Sequence, residues 1–118
     1  MLNKNNRLRK RYQFQYIYKS GAYLSNKSVS LHYVSSKTKK VKIGFAVTKK
    51  IGHATTRNLI RRRLREIMRK HLPNLKQNYN IIIVAKESIV DTEFKNLENQ
   101  IVNLLLKANL FLDDEKSF

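Results

Sequence analysis

The sequence predicts an α/β (α+β) two-layer sandwich, one sheet packed against helices, with elements in the order α-β-β-(β)-α-β-α, the bracketed strand being a very short extra one. Three observations carry this expectation. Val41, Ile43, Phe45 and Val47 alternate with Lys42, Gly44, Ala46 and Thr48, which is the period of a strand. Apolar residues recur at helical spacing after Thr56 and again after Asp91. Between these stretches, Ile81-Ile82-Ile83-Val84 is short, β-branched and apolar throughout, as a strand buried on both faces would be.

In chain order, residues 1–10 read as a basic arm. A short helix is predicted over Arg11 to Ser20, where Phe14, Ile17 and Tyr18 share a face, and Gly21 is its stop. Asn26-Lys27 reads as a turn joining a very short strand near Tyr23-Leu24 to a half-buried strand, in which Val29, Leu31 and Tyr33 alternate with Ser30 and His32. Ser35 to Lys40 is a polar loop. The strand over Val41 to Thr48 has small residues on its second face, which lets another group approach closely. A helix is expected from Thr55-Thr56, either of which can be the N-cap, to about His71-Leu72, where Pro73 ends it. A last helix is expected from Asp91-Thr92 to about Asn109, with Phe94, Leu97, Ile101, Leu104, Leu105 and Ala108 as its apolar stripe. Residues 110–118 are expected to be a flexible tail. At 118 residues and 42% hydrophobic content, one domain over residues 1–118 with a modest core is the expectation.

The chain carries a formal charge of +17, and its placement is informative. All eight Asp and Glu lie after residue 65, so 18 of the 25 Lys and Arg share a stretch without one carboxylate. Such a stretch cannot neutralise itself; its natural counter-charge is a polyanion, and phosphate backbone is the commonest. An anionic membrane surface would call for an amphipathic helix with exposed bulky apolar residues, which is not found. The N-terminus lacks the apolar run of a signal peptide, and no apolar run is long enough to span a bilayer, so a cytoplasmic protein is expected. There is no cysteine, and His32, His53 and His71 show no ligand spacing, so no metal site is expected.

On a helical wheel, Ile60, Leu64, Ile67, Met68 and His71 gather as a core face, while Arg57, Asn58, Arg61, Arg62, Arg65 and Arg69 gather beside it. Like charges at i,i+4 destabilise a lone helix by about 0.2–0.5 kcal/mol per pair, so this stacking makes sense opposite something negative. Arginine's planar fork suits bidentate phosphate and base-edge contacts. Glu66 sits beyond that basic face. Ahead of the helix, Lys49 and Lys50 leave the small-faced strand and Gly52 permits a tight turn, so that free N–H groups at the helix start would add a phosphate site. Phe14 and Tyr18 share one face of the first helix, Tyr12 and Tyr16 the other, and Tyr23 and Tyr33 follow. Aromatic faces beside basic residues suit stacking of single-stranded bases, although Phe14 and Ile17 are equally well explained as core.

The run Gly44-Phe45-Ala46-Val47-Thr48-Lys49-Lys50-Ile51-Gly52-His53-Ala54, followed by Arg57-Asn58 and by Arg61-Arg62 and Arg65, resembles the bacterial ribonuclease P protein subunit. The resemblance extends to Asn6-Arg7-Leu8-Arg9-Lys10, to Phe14, Tyr18 and Gly21, to the isoleucine strand and to the last helix. It implies a mixed, ribosomal-protein-like sheet with a left-handed βαβ crossover, and a tRNA-processing ribonucleoprotein that removes the 5′ leader of precursor tRNA. In that family the RNA subunit holds the catalytic site and its Mg2+, with none intrinsic to the protein. The resemblance implies that Arg57, Asn58, Arg61, Arg62 and Arg65, here joined by Arg69, contact the catalytic RNA. It further implies that Phe14, Tyr18, Ser30, His32, Lys50 and Ala54 form the leader cleft, with Arg7, Arg9, Lys10, Arg11 and Lys49 as supporting basic residues. Two positions depart from the pattern: Leu59 stands where many members have a further arginine, and His32 where a cleft-wall aromatic is common.

Three rival readings stand beside this one. A self-sufficient nuclease needs paired carboxylates or a histidine pair, and the basic region has neither, so no catalytic residue is expected. A DNA-binding helix-turn-helix needs a helix a short turn before Arg57, where a strand and loop stand instead. A basic ribosomal-type RNA-binding protein shares charge and size, and only the specific motif separates it.

Overall fold

The computed structural model describes residues 4–37 and 39–112. Its elements are α1 (Arg11–Ser20), β1 (Ala22–Ser25), β2 (Val29–Ser35), β3 (Lys42–Ala46), α2 (Ala54–His71), β4 (Tyr79–Ala85) and α3 (Phe94–Lys107), with short 3-10 turns between them. The order matches the expected one, and the four strands form one mixed sheet in the spatial order β1-β2-β4-β3. β1 and β4 both pair with β2 antiparallel, and β3 pairs with β4 parallel across the α2 crossover. No helix among the described residues is long and apolar enough to cross a membrane.

β4 is central, which is why its apolar run has no polar alternation: Ile81, Ile82 and Ile83 are all fully buried. Successive side chains point to opposite faces. Ile81 and Ile83 join Leu31, Ile43 and the buried stripes of α2 (Ile60, Leu64, Ile67, Met68) and α3 (Leu97, Ile101, Leu104, Leu105) in the main core. Ile82 faces the other way and packs with Ile17 of α1 and with Leu8. The helices thus divide, with α2 and α3 on one face and α1 on part of the other.

Several boundaries differ from the sequence expectation for identifiable reasons. α2 starts at Ala54 with His53 as N-cap and no side-chain cap, so neither Thr55 nor Thr56 caps it. Gly52, at φ +147°, reverses the chain early enough for the helix to begin a residue or two sooner. α3 starts at Phe94, because Glu87–Asp91 form a 3-10 turn. Phe94 therefore lies on the first turn, 37% exposed, and not on the buried stripe. Gly21 ends α1 in an extended conformation (φ −88°), not a left-handed one. Its requirement is space, since a Cβ there would lie 2.6 Å from both the Ile17 and Tyr33 carbonyl oxygens.

Both chain ends are more ordered than expected. In the segment read as an arm, Arg7 bridges Ile43 in parallel, Leu8 N–H donates to the Ile43 carbonyl at 3.0 Å, and buried Asn6 donates through Nδ2 to the Val41 carbonyl at 2.8 Å. These bonds extend the open edge of β3. Residues 1–3 lie outside the described residues. At the other end, Asn109 adopts φ 57°, the left-handed conformation that closes a helix. Leu110 is then fully buried, Phe111 bridges Leu75, and Leu112 N–H donates to the Asn74 carbonyl. The tail expected from residue 110 is docked through 112, and residues 113–118 lie outside the described residues.

One charged contact ties α2 to α3. Glu98, 6% exposed, accepts from Lys70 Nζ and His71 Nε2 at 3.1 Å each and has Lys95 Nζ at 3.9 Å. The Lys70 hydrogen bond, aided by His71 and nearby charge, holds its carboxyl below the ordinary carboxylate range against the opposing effect of burial. A depressed folded-state value contributes stability that is present above the unfolded pKa and is lost as pH falls through the folded one. Chemical denaturation of Glu98→Gln at a series of pH values should therefore show a flatter acid limb than wild type, and identical limbs would exclude this contribution.

Candidate nucleic-acid interface

The sheet register sets out the α1 face as two cross-strand rows. Tyr23, His32, Ile82 and Gly44 form one, and Ser25, Ser30, Val84 and Ala46 the next. α1 covers the first row. Ile17 is fully buried there with Ile82. Phe14 packs against Gly44, where a Cβ would lie 2.5 Å from the ring's Cζ. Tyr18 meets His32 edge-on, ring centroids 4.8 Å apart. The close approach expected on the small face of β3 is thus made by the chain's own Phe14. The second row remains beside α1 as a trough floored by small side chains, with Ala46 and Val84 only half-buried.

The trough wall is aromatic. His32 sits between Tyr18 and Tyr23, whose ring lies 4.7 Å away on the β1 side. Burial pushes the His32 pKa below its ordinary value, because the charged ring is the form that desolvation disfavours. His32 meets Tyr18 edge-on and Tyr23 at a tilt, so the three rings form a row in which Tyr18 is 44% and Tyr23 56% exposed. Ser30 is 5% exposed, a floor residue. Hydrogen bonds from Ser25 and Ser30 pull the Tyr23 hydroxyl pKa down, with a smaller contribution from the charge of Lys86. Lys86 Nζ donates to Ser25 Oγ and to the Asn26 carbonyl at the same end. Tyr23 and Lys86 were not among the expected cleft residues. A two-residue turn at Asn26-Lys27 would set Tyr23 opposite Ser30, whereas the observed register sets it opposite His32, and nothing local in the sequence placed Lys86, which arrives from 61 residues beyond Ser25.

Past the end of β3, Lys49 and Lys50 are exposed on a 3-10 turn and Ala54 is exposed at the first position of α2. Along α2, Asn58, Arg62 and Arg69 are exposed, while Arg57, Arg61 and Arg65 are half-buried against the domain. Arg61 is held in place: Nη2 donates to the Val47 carbonyl at 3.2 Å and Nη1 to Asn58 Oδ1 at 3.3 Å. Arg57 Nε is shielded from solvent and has no hydrogen-bond partner among the described residues.

Two cavities show how the tertiary structure groups these residues. Arg61 and Arg65 share one of about 280 Å³ with Arg7, Arg9, Phe14 and Phe45. The N-terminal segment, docked on β3, thus brings its arginines beside those of α2. Asn58, Arg62, Arg65 and Arg69 line another of about 420 Å³, and Glu66 lines it with them. The sequence wheel placed Glu66 beyond the basic face; in the fold it stands at the margin of that face, within reach of the long arginine side chains. Arg11 opens α1 on its exposed side, and Lys10 precedes it. Among the described residues, no three His, Cys, Asp or Glu side chains gather into a group able to hold a metal ion.

The family model described as Ribonuclease P matches residues 2–109. The ribonuclease P protein component of Alkaliphilus oremlandii is 36% identical over 105 residues, spanning 89% of this chain and 92% of the relative. That of Clostridium botulinum is 31% identical over 109 residues, spanning 92% and 98%. Among solved structures, the Staphylococcus aureus RNase P protein superposes with a TM-score of 0.84 at 29% identity, over 91% of this chain and 98% of that one. The Thermotoga maritima protein does so with a TM-score of 0.79 at 27% identity, over 86% and 96%. With the fold, the strand-loop-arginine-helix motif and the family match coinciding over almost the whole length, the chain belongs to the ribonuclease P protein family.

Proposed function

We propose that this protein component of the tRNA-processing ribonuclease P works by binding two RNAs on adjoining surfaces. Arg57, Asn58, Arg61, Arg62, Arg65 and Arg69, supported by Arg7, Arg9, Lys10, Arg11 and Lys49, contact the catalytic RNA. The trough with Phe14, Tyr18, Ser30, His32, Lys50 and Ala54 at its floor, wall and end holds the 5′ leader of precursor tRNA. The observation that carries this reading is the juxtaposition itself: a row of aromatic rings lies along a small-residue trough whose end opens onto the start of an arginine helix. Exposed ring faces suit unstacked bases of a single strand, and arginines suit phosphate. In this division of labour the RNA subunit and its Mg2+ carry out cleavage. Among the described residues no donor set fits a magnesium cage, and these residues bind, orient and screen charge between two polyanions. Holding the leader raises affinity for precursor over mature tRNA.

The direct test is cleavage of precursor tRNA at low Mg2+ by a bacterial ribonuclease P RNA with the protein, without it, and by the protein alone. Stimulation by a protein inert on its own is expected. Cleavage by the protein alone would overturn the division of labour, and the absence of any effect would favour a ribosomal-type binder. Tyr18→Ala should lower affinity for leader-bearing substrate by about 1–3 kcal/mol, one base stack, and leave mature tRNA binding unchanged. Equal losses on both would remove the trough from the leader path.

A further inference from the structure

We infer that Thr92 and Gln100 are positioning residues for leader recognition: acting through Ser28, they fix the β1–β2 hairpin that forms the outer end of the trough. None of their side-chain hydrogen bonds goes to the trough's own lining. The inference rests on the reading above that the trough holds the leader, and adds residues that this reading does not include. The second cross-strand row runs from Ala46 through Val84 and Ser30 to Ser25. With neighbouring strands about 4.8 Å apart, Ser25 stands roughly 14 Å from Ala46. The trough therefore has two ends. Lys49, Lys50 and the start of α2 stand at the β3 end, and the hairpin brings Tyr23, Ser25 and the bound Lys86 to the other.

Ser28, fully buried at the hairpin turn, is the hub of a polar network. Its N–H donates to Gln100 Oε1 at 2.9 Å, and its carbonyl accepts from Lys86 N–H at 2.9 Å. Its hydroxyl oxygen lies 2.7 Å from Thr92 Oγ1 and 3.3 Å from Gln100 Nε2. The direction of these bonds follows from the donors. Thr92 gives its hydroxyl hydrogen to the Ser88 carbonyl at 2.8 Å, so Ser28 donates to Thr92 and accepts from Gln100. The Gln100 amide is turned one way only, because its oxygen faces the Ser28 N–H. A one-way chain results, from Gln100 through Ser28 and Thr92 to the Ser88 carbonyl, and its members strengthen one another. Two further bonds hold the turn: Asn26 Nδ2 donates to the Gln100 carbonyl at 2.9 Å, and Ser88 Oγ to the Lys27 carbonyl at 2.7 Å.

The hairpin depends on this anchor. β1 is an edge strand of four residues, paired in the sheet with β2. So short a hairpin is held weakly by its own ladder, and the network decides where its tip stands. The tip carries the polar groups of the trough's outer end. Lys86 Nζ donates to Ser25 Oγ and, at 2.6 Å, to the Asn26 carbonyl, while Ser25 Oγ lies 3.4 Å from Ser30 Oγ on the floor. A shift of the tip moves Tyr23, Ser25 and Lys86 together, away from the row that His32 and Tyr18 make against α1. Binding groups work only when the residues behind them hold their geometry, which is the part assigned here to Thr92 and Gln100. The bonds of this network run between the hairpin, the segment after β4 and α3, so the arginine face of α2 is left as it is.

The test is Thr92→Val/Gln100→Met in the full chain, assembled with ribonuclease P RNA. These near-isosteric changes remove the acceptor of the Ser28 hydroxyl and the partner of its N–H. Affinity for precursor tRNA with a long leader should fall by about three- to tenfold, read as a raised KM at unchanged kcat. Affinity for mature tRNA and for the RNA subunit should stay as in wild type. A precursor with a one-nucleotide leader should lose little, since the catalytic RNA lies along α2 in this reading and so short a leader stays at the β3 end. Thr92→Ser keeps the hydroxyl and should restore wild-type affinity. Ile81→Val, a change in the main core, is the stability control: it should lower the melting temperature and keep the precursor preference. If circular dichroism shows that the double variant does not fold, Gln100→Met alone is read in the same way. Wild-type precursor affinity in the variant, with Tyr18→Ala still impairing it, overturns the positioning role alone. Equal losses on long and one-nucleotide leaders, or a loss matched by Ile81→Val, overturn it in favour of a general loss of stability. If Tyr18→Ala also leaves the precursor preference intact, the reading of the trough fails and this inference fails with it.

Discussion

Arg61→Ala/Arg65→Ala is expected to weaken binding to the catalytic RNA by about a hundredfold at physiological salt, the loss of two charge-assisted contacts. These two side chains are chosen because the fold commits them. Both are half-buried beside Arg7 and Arg9, and Arg61 is already oriented by the Val47 carbonyl and Asn58. An arginine held in its binding posture loses little side-chain entropy on contact, so its truncation removes more affinity than that of an exposed neighbour such as Arg62. The salt slope should fall by about two alongside the affinity. Lysine at both positions should restore the slope and only part of the affinity, since it supplies charge without the planar fork. Filter binding over a salt series separates these outcomes, and an affinity within twofold of wild type would remove α2 from the interface. Thermal melting should register a cost of about 1 kcal/mol from the lost Val47 contact, too little to unfold the domain.

The second large effect is expected at a residue that carries no chemistry. Gly44→Val should destabilise the domain by about 1–3 kcal/mol and abolish the leader's contribution to binding. A Cβ at position 44 would lie 2.5 Å and 2.6 Å from two atoms of the Phe14 ring and 3.1 Å from Leu8 Cδ1. Phe14 must then lift off the sheet, and α1 lifts with it, carrying Tyr18 away from His32 and opening the row of rings. The double variant Gly44→Ala/Phe14→Leu distinguishes packing from recognition. A smaller side chain at 14 makes room for the new methyl, so stability should return toward wild type while the aromatic ring at that end of the trough is gone. Denaturant melts and paired precursor and mature tRNA titrations read the two effects separately. Wild-type precursor preference in Gly44→Val would mean that the position of α1 does not matter to the leader.

Much of the fold was legible because the relevant signals are local. The alternation in Val29–Tyr33 and Val41–Val47, the helical period of α2 and the uniform apolarity of Ile81–Ile83 each report the environment of one element, and the element order follows from them. Errors concentrated where local signals compete with packing. Thr55 and Thr56 are good caps, yet Gly52 turns the chain before them and His53 takes the cap. Phe94 has the right spacing for the stripe of α3 but falls on a first turn that the core does not reach. Leu110 to Leu112 fall in the stretch expected to be a flexible tail, and they dock because Asn74, Leu75 and Lys76, distant in the chain, offer them a surface and hydrogen bonds.

The site divides in the same way. By itself the sequence determined that a carboxylate-free stretch of 65 residues needs a polyanion, and that α2 presents arginines beside its core face, because charge and helical period are properties of residues in order. Only the tertiary structure decided which groups meet. It laid Phe14 on Gly44, slotted His32 between Tyr18 and Tyr23, brought Lys86 to Ser25 from across the sheet, and bound the N-terminal segment to β3 so that Arg7 and Arg9 stand next to Arg61 and Arg65. Those pairings depend on strand order and register. Both are set by long-range burial in a sheet whose central strand, β4, is synthesised after every element that it brings together on the α1 face.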